Sequence, residues 1–309
     1  MAAGRALVLG ATGFAGRHFV DAAAASGLDL VWAARDSDAA DVVCDLLDPE
    51  SIRDALAESE PDAVVNLAGA ASVGRSWNDP DATMAVNATG AVNLLEAVSE
   101  KAPAARVLCV SSGEVYGVPD ESQLPLTESA PVRPVNPYGK SKAEMELACE
   151  RFSRDGLEIA VMRAFNHTGP GQSDSFAASS FARQIAAAEA EGHDAVELRT
   201  GDLSPERDFS DVRDIVRAYA RAVEQGLTGT YNACSGRAVP IAALLEGLAE
   251  HARVEVSAAV DESRLRPEEA PRVVGSFDRL QEAAGWEPEI GLDRTLGDLL
   301  DWWRGRVNQ

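Results

Sequence analysis

The sequence has few basic residues and very little lysine. Lysine and arginine together number 28 of 309 residues, against 50 aspartates and glutamates, and the formal net charge is −22. An excess of negative charge on this scale repels nucleic acid and anionic membranes, so we expect neither as a partner. An anionic ligand would need arginines placed at its own binding site. The acidic composition fits an adaptation to high salt and ordinary solubility equally well.

Cysteine is scarce, and long apolar runs are absent. The four cysteines form no CxxC pair and have no histidine at metal-ligand spacing. We therefore expect buried free thiols, and neither a disulfide framework nor a metal site. No apolar run reaches the roughly 18 residues that a membrane span needs. The first strand pattern begins within a few residues of the start, which leaves no room for a signal peptide, and we expect a cytoplasmic protein.

Short apolar runs of strand length alternate with amphipathic helical patterns in the first half of the chain. The runs are RALVL at 5–9, LVWAA at 30–34, AVVNLAG at 63–69, RVLCVSS at 106–112 and EIAVMRAFN at 158–166. Alternation of this kind predicts an α/β fold with a parallel, doubly wound sheet of the Rossmann type. A chain of 309 residues can also build a smaller lobe beside this sheet.

A glycine-rich segment, GATGFAG, follows the first strand pattern and precedes a helical one. It places Gly10, Gly13 and Gly16 as GxxGxxG. Glycine permits a tight turn and lets the backbone approach a pyrophosphate, which the N–H groups of the helix N-terminus can then bind. Between a strand and a helix, the motif predicts a dinucleotide site.

The end of the second strand is expected to select between NAD and NADP. A carboxylate there binds the ribose 2′-hydroxyl of NAD, whereas an arginine favours the 2′-phosphate of NADP. The sequence has Arg35 at this place, with Arg17 just after the glycine turn, so we favour NADP(H). Asp36 keeps NAD(H) possible. Asp45, which follows the next strand pattern, is a candidate contact for the adenine or a plain surface acid.

The pattern of the chain changes after residue 166, where loop-like sequence leads into further helical stretches. We assign residues 1–165, together with about 207–235, to the NAD(P)-binding Rossmann domain. The segment YNACSG at 231–236 is expected to return to the main sheet. Residues 166–206 and 236–309 are expected to form a smaller C-terminal α/β lobe that binds the substrate.

Tyr138 and Lys142 lie four residues apart, so a helix would place them on one face. A tyrosine has a reference pKa of about 10. A nearby ammonium group stabilises the phenolate, and a nicotinamide cation would add to this effect, so the tyrosine could exchange a proton near neutral pH. Ser112 ends a predicted parallel strand, at the edge where doubly wound folds bind ligands, and its hydroxyl could bind a carbonyl or alcohol oxygen.

The chain resembles the extended short-chain dehydrogenase/reductase family, and in particular its nucleotide-sugar branch. The matching segments are GATGFAG, VVNLAG, SSGEVYG, NPYGKSK, RAFNHTGPGQ, RDFSDVRDIVRAY and GWEPEI. The resemblance implies that Ser112, Tyr138 and Lys142 form a catalytic triad. The predicted cofactor site consists of Gly10, Thr12, Gly13, Phe14, Ala15, Gly16, Arg35, Asp45, Leu46, Leu67, Ala68, Gly69 and Asn87, with Tyr138 and Lys142.

Three reactions occur on this scaffold in the family: reduction of a keto sugar, 4,6-dehydration and 4-epimerisation. Dehydration removes a proton from C5 and expels the C6 hydroxyl, which requires a further acid–base pair. Relatives that dehydrate dTDP-glucose carry Asp-Glu where this sequence has Gly113 and Glu114. Glu114 is therefore a candidate base or a sugar-binding residue, and Gly113 cannot be an acid. Relatives that dehydrate GDP-mannose also lack this aspartate and carry a hydroxyl residue there, so dehydration stays an alternative. A regulator that binds NADP without turnover is a further alternative, although such proteins typically lose the tyrosine or the lysine.

The segments FNHTGPGQSDSFAASSFARQIA and TLGDLLDWWR are most similar to GDP-4-keto-6-deoxy-D-mannose reductases. The resemblance implies reduction of the C4 carbonyl of a nucleotide-linked 4-keto-6-deoxy sugar, with GDP favoured as the nucleotide, to GDP-D-rhamnose. It also implies a homodimer formed through two helices of each chain, the stretch near 90–102 and the helix that bears Tyr138. The residues matched to the substrate side are Asn166, Arg183, Arg207, Arg266 and Glu269. Arginine suits forked phosphate contacts, but Arg207 and Arg266 could also pair with neighbouring acids.

Overall fold

The computed structural model describes residues 4–25, 27–35, 40–261 and 270–307. Its strands are β1 (Arg5–Leu9), β2 (Asp29–Ala34), β3 (Val42–Val43), β4 (Ala63–Asn66), β5 (Arg106–Ser112), β6 (Ile159–Ala164), β7 (Asn166–Thr168), β8 (Ala195–Thr200), β9 (Glu206–Asp211), β10 (Gly229–Ala233), β11 (Ala238–Pro240), β12 (Glu255–Val260) and β13 (Arg272–Val273). Its α-helices are α1 (Phe14–Ala25), α2 (Pro49–Ser59), α3 (Val73–Asn78), α4 (Pro80–Met84), α5 (Gly90–Lys101), α6 (Pro137–Arg154), α7 (Ala177–Ala190), α8 (Val212–Gln225), α9 (Ile241–His251), α10 (Asp278–Ala284) and α11 (Leu292–Arg304). A π-helical segment, Ala85–Thr89, joins α4 to α5.

The large sheet is parallel throughout, with the strand order β10-β6-β5-β4-β1-β2-β3. The chain starts at β1 and winds outward in both directions, so the switch point lies between β1 and β4, where Leu9 pairs with Asn66. Ligands of doubly wound folds bind at the carboxyl ends of the strands beside such a point. The predicted α/β fold with a doubly wound parallel sheet is confirmed.

Apolar side chains cover both faces of the large sheet. Strand β4 is buried along its whole length, and its neighbours Val64 and Val65 point into different cores. Val64 packs in the core that includes Leu94 of α5. Val65 packs in the core that includes Phe19 of α1 and Ile215 of α8. A strand buried on both faces explains why the sequence shows an uninterrupted apolar run there instead of alternation.

Residues that follow β6 in the chain form a second group of strands and helices. Strand β9 pairs in parallel with β7 and β13 and antiparallel with β11. Strands β8 and β12 form a separate parallel pair, and Leu198 of β8 shares an apolar core with α7, α9 and α11. The predicted return of the segment 231–236 to the main sheet is confirmed, because β10 pairs with β6. The division into two domains stays a prediction, since residues 207–235 contribute β9 to the small sheet and β10 to the large one.

Helices α2 and α6 each begin at a capping side chain followed by proline, as the short helix α4 also does. Asp48 caps α2 by accepting the N–H groups of Glu50 and Ser51 at 3.0 and 3.4 Å. Asn136 caps α6 by accepting the N–H of Gly139 at 2.7 Å. Proline at the first helical position suits both starts. The cap fixes the first turn of α6, which carries Tyr138. Within the described ranges, no helix combines the length and the apolar character that crossing a membrane requires.

Candidate active site

The glycine turn after β1 has no room for side chains at two of its positions. Gly10 has φ +79°, and a Cβ there would lie 2.7 Å from the backbone nitrogen of Ala68. A Cβ at Gly16 would lie 2.1 Å from the carbonyl oxygen of Gly10. The turn is closed by the N–H of Gly13, which donates to the same carbonyl at 3.0 Å. Glycine is therefore required for the turn to form and for β1 to approach the segment after β4.

The predicted residues Thr12, Phe14 and Ala15 complete this turn and begin α1. Arg17 Nε donates to the carbonyl of Thr12 at 3.0 Å, so the exposed Arg17 stays close to the turn. Helix α1 starts at Phe14, and its positive dipole end therefore faces the edge of the sheet.

Two histidines that the sequence analysis left without a role flank Phe14. The Phe14 ring stacks on His167 with centroids 6.0 Å apart and meets His18 edge-on at 5.6 Å. His18 Nε2 lies 2.7 Å from the carbonyl oxygen of Pro170. Burial lowers the pKa of His167. These contacts join the glycine turn to the segment after β6, so the two sides of the candidate site are packed together.

The end of β2 carries Arg35, which is exposed. Asp36 lies outside the described residues, so its part in choosing the cofactor stays a prediction. The Asp45 carboxylate accepts the N–H of Leu47 at 2.9 Å and so shapes its own turn. Leu46 is buried, and a Cβ at Gly90 would lie 2.8 Å from the Leu46 Cβ.

The segment after β4, Leu67 to Gly69, lies between the glycine turn and α6. A Cβ at Gly69 would lie 2.8 Å from Asn87 Oδ1 and 3.5 Å from Lys142 Nζ. Asn87, in the π-helical segment, accepts the N–H of Ala70 at 2.8 Å and donates to the carbonyl of the same residue at 3.0 Å. The side chain of Asn87 therefore ties this loop to the neighbourhood of Lys142.

Ser112, Tyr138 and Lys142 are brought together at the carboxyl edge of the large sheet, and all three are buried. Ser112 ends β5, and the Tyr138–Lys142 face of α6 packs against that strand. Lys142 Nζ donates to the carbonyl of Val110 at 2.8 Å. The Ser112 hydroxyl lies close enough to the Tyr138 phenol to influence its pKa. The arrangement gives a phenol and a hydroxyl side by side, with an ammonium group one helical turn away.

Burial dominates the electrostatics of Tyr138 and Lys142. Burial raises the pKa of Tyr138 to about 12, the Ser112 hydroxyl acts against this, and the charge of Glu114 adds to it. Burial also lowers the pKa of Lys142 to about 8. Removal from water disfavours the charged form of both groups. That Lys142 makes Tyr138 acidic beside a bound nicotinamide stays a prediction. Tyr138 is a protonated phenol at neutral pH and can act as a proton donor.

Gly113 and Glu114 follow Ser112 in a 3-10 turn. A Cβ at Gly113 would lie 3.2 Å from two ring atoms of Phe165, so a side chain there would require the ring to move by a few tenths of an ångström. Glu114 is half-buried, and its Oε2 accepts a hydrogen bond from Asn136 Nδ2 at 2.7 Å. Of the Asp-Glu pair expected for dehydration of dTDP-glucose, only the carboxylate of Glu114 is present, and it faces the start of α6.

The predicted substrate residues lie on the elements that follow β6. Asn166 is exposed at the start of β7. Arg183 is half-exposed on α7, and its Nε forms an ion pair with Asp174 at 2.9 Å. Arg207 is buried in β9 and donates to the carbonyl of Glu206 at 2.8 Å. The other two predicted residues lie outside the described residues: Arg266 and Glu269.

The sequence analysis missed three residues that position the site. Ser76 Oγ accepts the N–H of Tyr138 at 3.2 Å. Ser141 Oγ donates to the carbonyl of Tyr138 at 2.8 Å and accepts from Asn87 Nδ2 at 2.9 Å. Asn136 caps the helix. The Asn-Pro pair before a helical pattern could have identified this cap, whereas no sequence signal marks Ser76.

The residues at this edge fit a bound dinucleotide. The cradle at Gly10 and Gly16 leaves the backbone of the turn open to a pyrophosphate, the N-terminus of α1 faces it, and a buried lysine lies beside the loop after β4. Over the described ranges, no group of three or more His, Cys, Asp or Glu side chains is arranged to hold a metal ion.

Comparison with known proteins gives end-to-end matches. A family model described as GDP-mannose 4,6 dehydratase matches residues 7–299. The GDP-6-deoxy-D-mannose reductase of Pseudomonas aeruginosa is 40% identical over 307 residues, which are 99% of each chain. The solved structure of RMD from Pseudomonas aeruginosa complexed with NADPH has a TM-score of 0.88 at 39% identity, with 98% of this chain and 99% of that chain covered. The UDP-glucose 4-epimerase of Thermus thermophilus, in complex with NAD, has a TM-score of 0.84 at 30% identity, with coverage of 98% and 99%.

These relatives are nucleotide-sugar enzymes, which agrees with a glycine turn and a Tyr-Lys pair that meet at one edge of the sheet. Both the family match and the fold extend over almost the whole chain. The resemblance that the motifs predict is thereby confirmed. The chain belongs to the GDP-mannose 4,6-dehydratase family of extended short-chain dehydrogenases/reductases.

Proposed function

We propose that the chain is a reductase of nucleotide-linked 4-keto-6-deoxy sugars, with GDP-4-keto-6-deoxy-D-mannose as its substrate and GDP-D-rhamnose as its product. The observation that carries this proposal is the buried set of Ser112, Tyr138 and Lys142 beside the glycine turn. The full-length similarity to GDP-6-deoxy-D-mannose reductase supports the choice of substrate.

NADP(H) is the proposed cofactor, with NAD(H) as the alternative. Arg35 at the end of β2 and Arg17 beside the glycine turn support a 2′-phosphate, and the similar RMD structure contains NADPH. When bound, NADPH supplies the hydride for the carbonyl carbon. The pyrophosphate would contact the turn at Gly10 to Gly16, and Lys142 would contact the ribose next to the nicotinamide.

In the proposed mechanism the chain supplies the proton and stabilises the oxyanion. Tyr138 is protonated at neutral pH, since burial raises its pKa to about 12, and it donates a proton to the oxygen that develops negative charge. The Ser112 hydroxyl donates a hydrogen bond to the same oxygen. The Lys142 ammonium stabilises the phenolate that Tyr138 leaves behind. These steps need no acid–base pair beyond the three residues.

The substrate diphosphate is proposed to bind arginines of the elements after β6. Arg183 and Arg207 would contact the phosphates and Asn166 the adjoining polar groups, while Arg266 and Glu269 are proposed for the nucleotide. Local arginines are needed because the net charge of −22 opposes the approach of an anion. Arg183 would exchange its half-exposed partner Asp174 for phosphate, at little cost in free energy.

The alternatives are a 4,6-dehydratase, a 4-epimerase and an NADP-sensing regulator. The family description favours the dehydratase, and Glu114 could serve as its base. Gly113 opposes a dehydratase of the dTDP-glucose type, because it carries no acidic side chain, whereas relatives that dehydrate GDP-mannose carry a hydroxyl residue in its place. A regulator has no need of the buried triad.

The proposed function is tested by NADPH consumption with a panel of 4-keto-6-deoxy sugars linked to GDP, dTDP, UDP and CDP. We expect stoichiometric oxidation of NADPH with the GDP sugar, and NMR of the product should identify GDP-D-rhamnose. Tyr138→Phe serves as the control and should lose turnover. Dehydration of GDP-mannose without net oxidation of NADPH would assign the chain to the dehydratases instead.

A homodimer and a cytoplasmic location are also part of the proposal. The stripe Lys140, Glu144, Leu147 and Arg151 is exposed along α6, and Leu147 is 58% exposed. A large apolar side chain in the middle of an exposed helical face supports a contact with a second copy of the chain.

A further inference from the structure

Helix α6 carries an acidic residue one turn beyond Lys142 that the proposed reaction does not use. Tyr138, Lys142 and Glu146 follow one another at intervals of four residues and so occupy successive turns on the side of α6 that faces the sheet. The Glu146 side chain is 12% exposed. A carboxylate is rarely buried to this degree without a charged partner.

Arg163 of β6 is that partner, and it engages both carboxylate oxygens. Arg163 Nε donates to Glu146 Oε1 at 2.9 Å and Nη2 donates to Oε2 at 2.7 Å. The Arg163 side chain is 7% exposed. Ser111 Oγ of β5 donates a further hydrogen bond to Oε1, and Ser111 is the register partner of Arg163. A buried fork of this kind fixes orientation as well as distance, so α6 is held to both strands at once.

The same guanidinium also reaches the turn that follows Ser112. Arg163 Nη1 donates to the Tyr116 hydroxyl at 2.9 Å, and Cζ lies 4.8 Å from the centroid of the Tyr116 ring. Tyr116 ends the 3-10 turn that begins directly after Ser112. The Tyr116 hydroxyl then donates to Asn232 Oδ1 of β10 at 2.7 Å. One arginine therefore connects the catalytic helix, the strand end of Ser112 and the edge strand of the sheet.

We propose that Glu146 and Arg163 are positioning residues, whose ion pair holds the helix of Tyr138 and Lys142 in place against the strand end of Ser112. The inference rests on the proposed reductase function and adds two residues to it. Proton transfer depends steeply on geometry, and a misplacement of about 1 Å costs roughly 100-fold in rate. The competing role is fold stability alone, which other buried ion pairs of the chain would share.

The charge of Glu146 gives the two roles different signatures. Among the described residues, the titratable groups that influence Lys142 are Cys109 of β5 and Cys149 and Glu146 of α6. A hydrogen bond with Cys109 and burial raise the pKa of Cys149, so Cys149 stays neutral. Burial lowers the pKa of Lys142 to about 8, and the Glu146 carboxylate opposes this effect. Removing the carboxylate should lower that pKa further, whereas Arg163→Lys keeps both charges.

The first experiment compares Glu146→Gln, Arg163→Lys and the matched control Glu189→Gln in steady-state reduction of the GDP keto sugar. Glu189 of α7 forms an equivalent fork with Arg304 of α11, with two bonds of 2.7 Å. We expect the first two variants to lose roughly 10- to 100-fold in kcat with little change in KM, and Glu189→Gln to keep the wild-type kcat. Circular dichroism melts set an assay temperature at which every variant is folded.

The second experiment is independent of turnover and uses the small number of lysines. Protein labelled with ¹³C at lysine Cε gives one signal for each of Lys101, Lys140 and Lys142, and Lys142→Ala assigns the last. In an NMR pH titration we expect the Lys142 midpoint to fall in Glu146→Gln and to stay unchanged in Arg163→Lys and Glu189→Gln. If Glu146→Gln does not fold, Arg163→Lys carries the test, with a lower kcat at an unchanged midpoint.

Any of three results would overturn the inference. These are a loss of kcat in Glu189→Gln equal to that in Glu146→Gln, a wild-type kcat in Arg163→Lys, and an unchanged titration midpoint of Lys142 in Glu146→Gln. Failure of the wild-type protein to oxidise NADPH with any keto sugar would overturn the proposed function instead. In that case the Lys142 titration still decides whether Glu146 acts on the lysine.

Discussion

Lys140 and Lys142 stand two positions apart on α6 in different surroundings. Lys140 is exposed, whereas Lys142 is buried and bonded to the carbonyl of Val110. We expect Lys142→Ala to lower turnover by roughly 100-fold or more, because the phenolate of Tyr138 loses its stabilising charge. Lys140→Ala should keep wild-type turnover. Initial rates of NADPH oxidation measure both, and equal activity in the two variants would remove Lys142 from the catalytic set.

The burial of Lys142 also makes the free energy of unfolding depend on pH. Its pKa is about 8 in the folded chain against an ordinary value of 10.5. Below pH 8, Lys142 is charged in both the folded and the unfolded chain, and the full cost of burying the charge lowers the stability of the folded chain. Between pH 8 and 10.5 the unfolded chain binds more protons than the folded chain, so the free energy of unfolding rises with pH. The gain in stability from Lys142→Met should therefore shrink by about 3 kcal/mol over this interval.

Urea unfolding at pH 8 and at pH 10.5 measures the difference in free energy of unfolding between Lys142→Met and the wild type. Lys140→Met, at the neighbouring exposed position, is the control. A difference that stays constant with pH would mean that Lys142 has the same pKa in the folded and in the unfolded chain.

At the scale of single residues, the sequence predicted which residues meet at the candidate site, but not which groups surround them in the fold. The meeting of Ser112, Tyr138 and Lys142 at one edge of the sheet could be predicted, because each motif ties a residue type to a place in the order of strands and helices. The pKa of Tyr138 could not be predicted, because desolvation depends on groups that only the fold brings around the phenol. Ser76 was missed for the same reason, since it bonds to Tyr138 across 62 positions of sequence.

At the scale of elements, α2 and α6 both begin with a capping side chain followed by proline. Only α6 lies at the candidate site. Asn136 accepts the N–H of Gly139 and donates to Glu114, both at 2.7 Å. We expect Asn136→Ala and Asp48→Ala each to lower the free energy of unfolding by about 1 kcal/mol, since each removes an N-cap. Only Asn136→Ala should also lower turnover, because it frees the first turn that holds Tyr138. Urea unfolding and initial rates test this, and equal turnover in the two variants would contradict it.

The strands that are buried between helices could be predicted from the sequence, whereas the irregular π-helical segment could not. The strands of the large sheet are short apolar runs because helices cover both faces, and that pattern is visible in the sequence. The π-helical segment Ala85–Thr89, which carries Asn87, was not predicted, because the helical periodicity of MAVNATGAVNLLEAVSE continues across it. A widened turn of this kind is frequent at functional sites.

For the whole molecule, the net charge of −22 predicts an effect of salt on stability. Like charges repel across the folded surface, and salt shortens the range of that repulsion from roughly 30 Å at 0.01 M to about 3 Å at 1 M. We expect the free energy of unfolding to rise over this range of KCl, as measured by thermal or urea unfolding. A fall would show that screened ion pairs, such as Arg213 with Asp298, outweigh the repulsion.

The proposed dimer is also a property of the whole molecule. We expect Leu147→Glu to convert a dimer to a monomer in sedimentation velocity, because it places a charge within the proposed contact of α6. Val260→Glu is the matched control, since Val260 is 66% exposed on β12 and lies outside that contact. A wild-type monomer, or a dimer that survives Leu147→Glu, would contradict the proposed interface.

The pairing of β10 with β6 has a consequence for synthesis and for engineering. The polypeptide leaves the large sheet at Ala164 and rejoins it at Gly229, after building β7, α7, β8 and β9 of the small lobe. A nascent chain that has just completed β6 therefore presents an open strand edge, and a fragment cut there would be prone to pair with its own kind. Chimeras that exchange the lobe between relatives need three junctions, one before β7, one before β10 and one after β10, because strands on both sides of β10 pair with one another in the lobe.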